Sequence, residues 1–473
     1  KQFRCKCCEK AIKSQHIFFI NIHTYEIFTN SISKKKTMKC SKLKYQLWNC
    51  KCRSCGKRFI LYCCVLVAGA LLLLYIWYQL PKRDKIDISE PRLLLWWTDY
   101  NEKVYYRNIY CGYFVCTITN DRQRLAEAKV IFFYGSYINA HDMPLPRHAY
   151  QLWALLQDET PQNAPYLFYQ EFLRHFNYTS TFSRYSDYPL TLRSLHNPKE
   201  LILRTYFRAL RFRSSIPVLF MQDNCATLSG RENYVRELMT HVPVHSCGEC
   251  LRNADSPSFR RENDVLRFIS GFKFVIAFED AICDDYITAA YWQALIVGAI
   301  PIYFGSLTIR DWEPHNHSAI YASDFESPAA LAELIYELVD NETAFLDYLQ
   351  HKFNTEEPIT NKRLLKALLW HFNLSKKAEH FEKFEKEMCT EINSRRDKPI
   401  SKIANQTHFS CPLPQRLPAT RKNYTKHAQQ WKVNFTVSQR IVRLLDILFR
   451  RNAPNAPTQF TEKVKQLVGW DNL

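Results

Sequence analysis

The chain has 473 residues, 47% hydrophobic and 23% charged, with a formal net charge of +18, a length that allows two or three domains with well-buried cores. The charge does not point to nucleic acid. Fifteen Lys or Arg against Glu9 and Glu26 lie at or before Arg58, so the basic excess belongs to the N-terminal tail, and the rest of the chain has neither a Lys/Arg stripe nor an interleaved aromatic platform.

Residues 1–58 read as a basic, cysteine-containing cytoplasmic tail. Its runs CKCC and CKCRSC lack the second Cys/His pair of a zinc site and fit disorder or acylation near a membrane. The next segment, FILYCCVLVAGALLLLYIWYQL at 59–80, carries no charge and as a helix would cross roughly 30 Å of hydrocarbon. With the positive flank before it, it predicts a single-pass type II signal anchor in the Golgi or endoplasmic reticulum membrane, a short stem at 81–91 and a lumenal catalytic domain. Seven glycosylation triplets, at Asn177, Asn316, Asn341, Asn373, Asn405, Asn423 and Asn434, all follow the apolar run, as that topology requires. Eight of the seventeen cysteines follow it too. An exported domain permits them to pair, and Cys389 with Cys411 is the expected bond.

From residue 92 onward, unbroken apolar runs alternate with helical patterns. RLLLWW at 92–97, AKVIFFYG at 128–135, PVLFMQDN at 217–224, FKFVIAFE at 272–279 and IPIYFG at 300–305 have the character of strands covered on both faces. RENYVRELMTHV, TAAYWQALIVG and SPAALAELIYELVDN read as helices between them, giving an α/β order. The predicted domains are 92–210 and 211–350, with 351–473 as an extension packing on or flanking the core.

Open α/β sheets bind ligands at the carboxyl ends of their strands, which singles out the polar residues just after the apolar runs. These are Glu159 in QDETPQN, Asn224 and Arg231 after PVLFMQDN, Glu279 through Tyr286 after FKFVIAFE, and SLTIRDW after IPIYFG. Arg231 offers a fork of donors at the start of a helix, a combination suited to phosphate, or else a surface ion pair with Glu232 or Glu237. Tyr286 suits stacking or simple packing, and Thr288 is the expected N-cap of the helix beginning at Ala289. Dinucleotide, P-loop and HExxH fingerprints are absent. Asp284 and Asp285 are adjacent rather than spaced as a metal bridge, so no metal or other cofactor is implied and divalent dependence stays open.

FKFVIAFEDAICDDYITAAYWQALIVGAIPIYFGSLTIRDW resembles the signature of the α1,3-fucosyltransferase family, close to YKF-x-x-AFEN…DY[IV]TEK-x-W…GA-x-P. The resemblance continues in WALLQDETP, STFSRYSDYPL and MQDNCATLSGRENYVRELMTHVPVHSCGEC and spans roughly residues 92–345. In detail it is nearest the divergent tenth and eleventh vertebrate-type members, which are similar to protein O-fucosyltransferases. The resemblance implies a GT-B architecture, two Rossmann-like domains facing a cleft, with the first on the acceptor side and the second binding GDP-fucose. It implies inverting transfer of L-fucose to an N-glycan GlcNAc in α1,3 linkage or to Ser/Thr of a folded protein, so the expected partner is a glycan or glycoprotein acceptor. Carried over residue by residue, Glu159 is the general base; Arg231, Glu279, Tyr286 and Thr288 lie in the donor site, with Asn224 and Arg184 lining it.

One departure stands out. Where the family has Thr-Glu-Lys, this chain has Thr288-Ala289-Ala290, so the ribose acceptor and the diphosphate cation implied by the resemblance are both missing. Arg310 and Lys273 are the replacement cations considered. A catalytically silent lumenal protein that binds glycan or protein is the alternative, and the retained Glu159 favours the enzyme.

Overall fold

Parallel strands buried on both faces need unbroken apolar sequence, and VIFFY at 130–134 and FVIAF at 274–278 are buried at every position. The structure, a computed structural model, describes residues 65–72, 74–75, 91–98, 103–195, 197–206, 216–371, 379–395, 401–413 and 426–452. The chain divides into two units, Lys1–Arg83 and Asp84–Leu473. In the first, residues 65–72 and 74–75 are helical with exposed side chains; the tail at 1–58 and the other residues of the apolar run lie outside the described residues.

The second unit is an α/β structure with two sheets. The first contains β1 (Arg92–Trp96), β2 (Tyr106–Cys111), β3 (Phe114–Thr119), β4 (Val130–Tyr134), β5 (Leu152–Gln157) and β6 (Tyr178–Thr181), in the order β2-β3-β1-β4-β5-β6. All its pairings are parallel except the β2–β3 hairpin. The second sheet contains β7 (Val218–Phe220), β8 (Val244–Ser246), β9 (Phe274–Phe278), β10 (Ile300–Phe304) and β11 (Ile320–Tyr321), all parallel, in the order β11-β10-β9-β7-β8. Among the described residues of this unit, the helices of eight or more residues are α1 (Arg231–Leu238), α2 (Glu262–Ile269), α3 (Ala289–Val297), α4 (Pro328–Asp340), α5 (Lys362–His371), α6 (Glu379–Arg395) and α7 (Lys426–Arg451).

The five apolar runs of the sequence are β1, β4, β7, β9 and β10. The β2–β3 hairpin escapes that pattern because β2 is an edge strand with Tyr106, Arg107, Asn108 and Tyr110 exposed. α3 packs on β9 and β10 through Tyr291, Trp292 and Leu295, which are fully buried. The C-terminal helices return to the first sheet. α6 covers the hairpin, where Glu385 accepts from Trp96 Nε1 at 2.8 Å and pairs with Arg107 at 2.6 Å, and α7 ties down Arg174 and His175 through Asp446.

Two expectations from the sequence are corrected. Among the described residues no helix is long and apolar enough to cross a membrane. The signal anchor, the single-pass membrane partner and the Golgi or endoplasmic reticulum membrane localisation built on it therefore find no support. The cysteines pair differently as well. Cys411 bonds Cys283, Cys225 bonds Cys250, and Cys389 Sγ lies within bonding reach of both Cys111 and Cys116. The reason is spatial: α6 places Cys389 over the β2–β3 hairpin, whereas Ser410 beside Cys411 hydrogen-bonds Asp284 through both backbone and side chain. Cys247 is a buried free thiol.

Candidate active site

Glu159 sits at the carboxyl end of β5, on a loop clamped from beneath. Gln157 Nε2 donates to the carbonyls of Glu159 (3.2 Å) and Thr160 (3.4 Å) and to Ser136 Oγ (3.0 Å). This needs Gly135, because a Cβ there would stand 2.3 Å from Gln157 Oε1. Asp158 accepts from Tyr134 Oη and pairs with Arg193 at 2.5 Å. Burial and the charges of Asp158 and Glu159 hold the Tyr134 phenol well above its usual range, which puts Glu159 electrostatically beside that ring. Glu159 itself is half-buried, and its Oε2 accepts only a long 3.3 Å bond from Asn163. A carboxylate presented this way has acceptor positions left for an incoming hydroxyl.

Across from it, the turn between β9 and α3 gathers four of the residues singled out in the sequence. Glu279 is fully buried at the carboxyl end of β9, and its Oε1 accepts the Thr288 backbone N–H at 2.8 Å. Thr288 occupies the N-cap position, yet its side chain makes no capping bond; Glu279 satisfies the first of the helix's orphan donors instead. Gly305 is required here, since a Cβ would lie 2.4 Å from Glu279 Cγ. Burial pushes the Glu279 carboxyl up to about 8 against the Thr288 hydrogen bonds and the Arg231 charge, with Asp280 adding to the rise, so it keeps its proton at neutral pH. Arg231 opens α1 and is only 4% exposed; its guanidinium donates to Phe278 O at 2.5 Å and Gln222 Oε1 at 2.9 Å. Glu279 Oε2, Arg231 Nε and Asp280 Oδ1 are buried without a hydrogen-bond partner. Such atoms cost free energy when left unmade, and three on neighbouring residues mark a place shaped for a polar ligand.

Tyr286 joins the two sides. Its ring lies 5.2 Å from Phe182, and its phenol, raised well above its usual range by burial and by Asp280 and Glu279, also interacts with Thr160 next to Glu159. Asn224 is exposed, and its Oδ1 accepts from Ala226 N at 2.8 Å. Arg184 is occupied by protein: its backbone N–H and Nε both donate to Asp285, Nη1 pairs with Asp311 at 2.7 Å, and the guanidinium lies 4.8 Å over Trp312. Asp285, at φ 62°, also accepts from Thr308 Oγ1 and Trp312 Nε1. Burial alone would raise its carboxyl; these donors, Arg184 foremost, hold it below the usual range.

Neither replacement cation reaches the turn by its contacts. Lys273 precedes β9, about 20 Å of strand from Glu279, and donates to Val339 O; Arg310 pairs with Asp324 and covers Tyr321. Among the triplets, Asn316, Asn341, Asn405 and Asn434 are exposed, and Asn373 and Asn423 lie outside the described residues. Asn177 is 7% exposed, its Oδ1 accepting from Trp153 N and its Nδ2 donating to Lys402 O, so its amide is committed to the fold. Gln157 and Asp158 stand inside the quoted string QDETPQN without being singled out, and Arg193 lies outside every quoted string; only β5's placement beside the segment after β6 gives them meaning.

Comparison with known proteins gives a consistent result. A model described as the C-terminal part of glycosyltransferase family 10 (fucosyltransferase) matches residues 213–406, and one described as the fucosyltransferase N-terminal part matches 89–192. The alpha-(1,3)-fucosyltransferase B of Drosophila melanogaster is 40% identical over 428 residues, covering 86% of this chain and 96% of that protein. The GDP-fucose protein O-fucosyltransferase 3 of Homo sapiens is 34% identical over 404 residues, covering 80% and 84%. A crystal structure of an alpha1,3-fucosyltransferase with GDP aligns with TM-score 0.42 at 16% identity, covering 62% of this chain and 92% of that one. On the extent of these sequence matches, the chain belongs to the fucosyltransferases of glycosyltransferase family 10 and is an enzyme of that transferase class.

Proposed function

We propose that this enzyme transfers fucose from GDP-fucose to an acceptor hydroxyl with inversion, Glu159 acting as general base. The observation that carries the reading is the pairing of the half-buried Glu159 carboxylate on one sheet with a buried cluster of unpartnered polar atoms on the other, bridged by Tyr286 and Thr160. In this mechanism the Glu159 carboxylate takes the acceptor proton as the acceptor oxygen bonds to the sugar's anomeric carbon. The bond from that carbon to the diphosphate breaks, and GDP leaves with the electron pair. Arg231 and the first-turn N–H groups of α3 stabilise the charge that develops on the diphosphate, and protonated Glu279 donates a hydrogen bond to the donor. Residues near 92–210 form the acceptor-side domain and those near 211–350 the donor-binding domain.

On the acceptor, the strings shared with the divergent tenth and eleventh vertebrate-type members and the likeness to proteins named GDP-fucose protein O-fucosyltransferase 3 support Ser/Thr of a folded protein, while the Drosophila relative's name supports an α1,3-linked sugar. Purified enzyme incubated with GDP-fucose and a panel holding an N-glycan with terminal core GlcNAc and folded disulfide-rich domains decides between them; GDP release with none of these acceptors, or none at all, removes the reading. Calorimetry with GDP tests the donor side. Wild type should bind and Arg231→Ala should not, and Ala289→Glu with Ala290→Lys should tighten binding by about tenfold, the order of one charged contact.

A further inference from the structure

The base loop and the donor turn are held by the same short stretch of chain. Residues 182–193, following β6, carry an arginine near each end. Arg193 pairs with Asp158, the residue before Glu159, and also donates to the Asp158 carbonyl. Arg184 forks onto Asp285, the residue before Tyr286. Both carboxylates are well buried, with side chains 9% and 1% exposed, so each pair works in a low-dielectric setting where a lost partner leaves a stranded charge.

The stretch between the arginines is not slack. Thr191 Oγ1 donates to Phe182 O at 2.6 Å, Leu190 N to Thr181 O at 2.7 Å and Tyr188 N to Thr179 O at 3.0 Å, folding the segment back onto β6. Ser183 Oγ donates to Thr407 O at 2.6 Å, and Cys283–Cys411 links that 401–413 strand of chain to the donor turn. The spacing between the two arginine heads is therefore set by a braced element, not by a flexible loop.

We infer that residues 182–193 form a two-ended clamp that fixes Glu159 relative to the donor turn, with Arg193 as the positioning residue for the base and Arg184 as the positioning residue for the turn. The inference rests on the reading of Glu159 as the base. Its chemical weight comes from the sensitivity of displacement to alignment, in which an error of about 1 Å costs on the order of 10²-fold in rate. Arg193 touches neither substrate in this scheme; it acts through Asp158.

The test uses the full chain and two readouts: hydrogen exchange of peptides covering 157–163 and 283–290, and GDP release from GDP-fucose with water as acceptor. Arg193→Met is expected to speed exchange at 157–163 by about tenfold or more, leave 283–290 unchanged, and lower kcat about 10²-fold with KM for GDP-fucose within about threefold. Arg193→Lys should recover part of the rate. Arg184→Met should do the converse, loosening 283–290 and raising KM. Asp158→Asn, which keeps the shape and removes the charge, should follow Arg193→Met and stands in for it should that variant fail to fold. Wild-type exchange at 157–163 in both Arg193→Met and Asp158→Asn overturns the clamp, as does a loss of protection spread evenly over every peptide. Full turnover in Glu159→Gln, run in parallel, removes the base reading and Arg193's catalytic meaning with it.

Discussion

The loop after β5 and the turn after β9 both leave the carboxyl end of a buried parallel strand and are finished in different ways. At the first, Gln157, Tyr134 and Arg193 give the backbone and Asp158 partners within the protein, Gln162 Oε1 is the one buried side-chain atom between residues 158 and 163 left without a partner, and the Glu159 carboxylate stays half-buried. At the second, the carboxyl of Glu279 is drawn fully inside, and Glu279, Asp280 and Arg231 each keep a buried atom unpartnered. A catalytic base must hold still before anything binds. A site for a charged ligand gains most when its donors and acceptors are desolvated in advance and are completed by the ligand itself.

The sharpest way to break this comparison is Glu159→Gln. If the half-buried Glu159 carboxylate is the base, turnover falls by about 10²–10⁴-fold while calorimetry shows GDP-fucose affinity within about twofold of wild type. Loss of affinity with retained turnover would place Glu159 on the donor side and erase the distinction between the two regions.

A matched pair of glycine substitutions comes next. Gly305→Ala drives a methyl into Glu279 Cγ and Cβ, close to the strand backbone, and should cost about 1–3 kcal/mol of stability together with most of the GDP affinity. Gly135→Ala meets Gln157 Oε1 first, the far end of a flexible side chain, although Leu167 Cδ1 is also near at 3.0 Å. It should melt closer to wild type and lose turnover rather than GDP binding. Equal melting and equal binding losses would refute the proposed division of labour.

The smallest expected effect is a pH dependence confined to one region. Glu279 holds its proton up to about 8 in the fold and releases it near the ordinary 4.5 when unfolded. Between those values the native state binds more protons than the unfolded chain, so this group's contribution to stability is greatest below 4.5, declines as pH rises towards 8 and is level above it. GDP-fucose affinity should likewise weaken above about pH 8, by up to tenfold per unit if only the acid form binds. Glu279→Gln, neutral at every pH and still able to accept from Thr288 N–H, should flatten both curves. A wild-type binding curve already flat through pH 9 would show that the proton on Glu279 is irrelevant to the donor.

Some of this site was legible in the chain. FKFVIAFE and IPIYFG declare buried parallel strands by composition, and the polar residues that follow them fall at the sheet's carboxyl edge by topology. Arg184 could be placed near that edge by its string but not given a partner, because Asp285 and Asp311 lie 101 and 127 positions away. Arg193 and Asp158 stand 35 positions apart in no pattern that periodicity detects. The Asn177 triplet reads like the other six, and only the packing of Trp153 and Lys402 around it shows an amide already committed.

The sequence by itself determined the α/β class, the family and the identity of the acids and cations available, since these depend on local composition and on strings that persist in order. Tertiary structure decided which carboxyl is buried, which cysteine meets which, and which arginine is committed to carboxylates of the fold. Those outcomes turn on burial and on partners distant in the chain. The same Glu is an ordinary acid near 4.5 in water and keeps its proton to about 8 at the base of α3, and nothing in its neighbours along the chain records that difference.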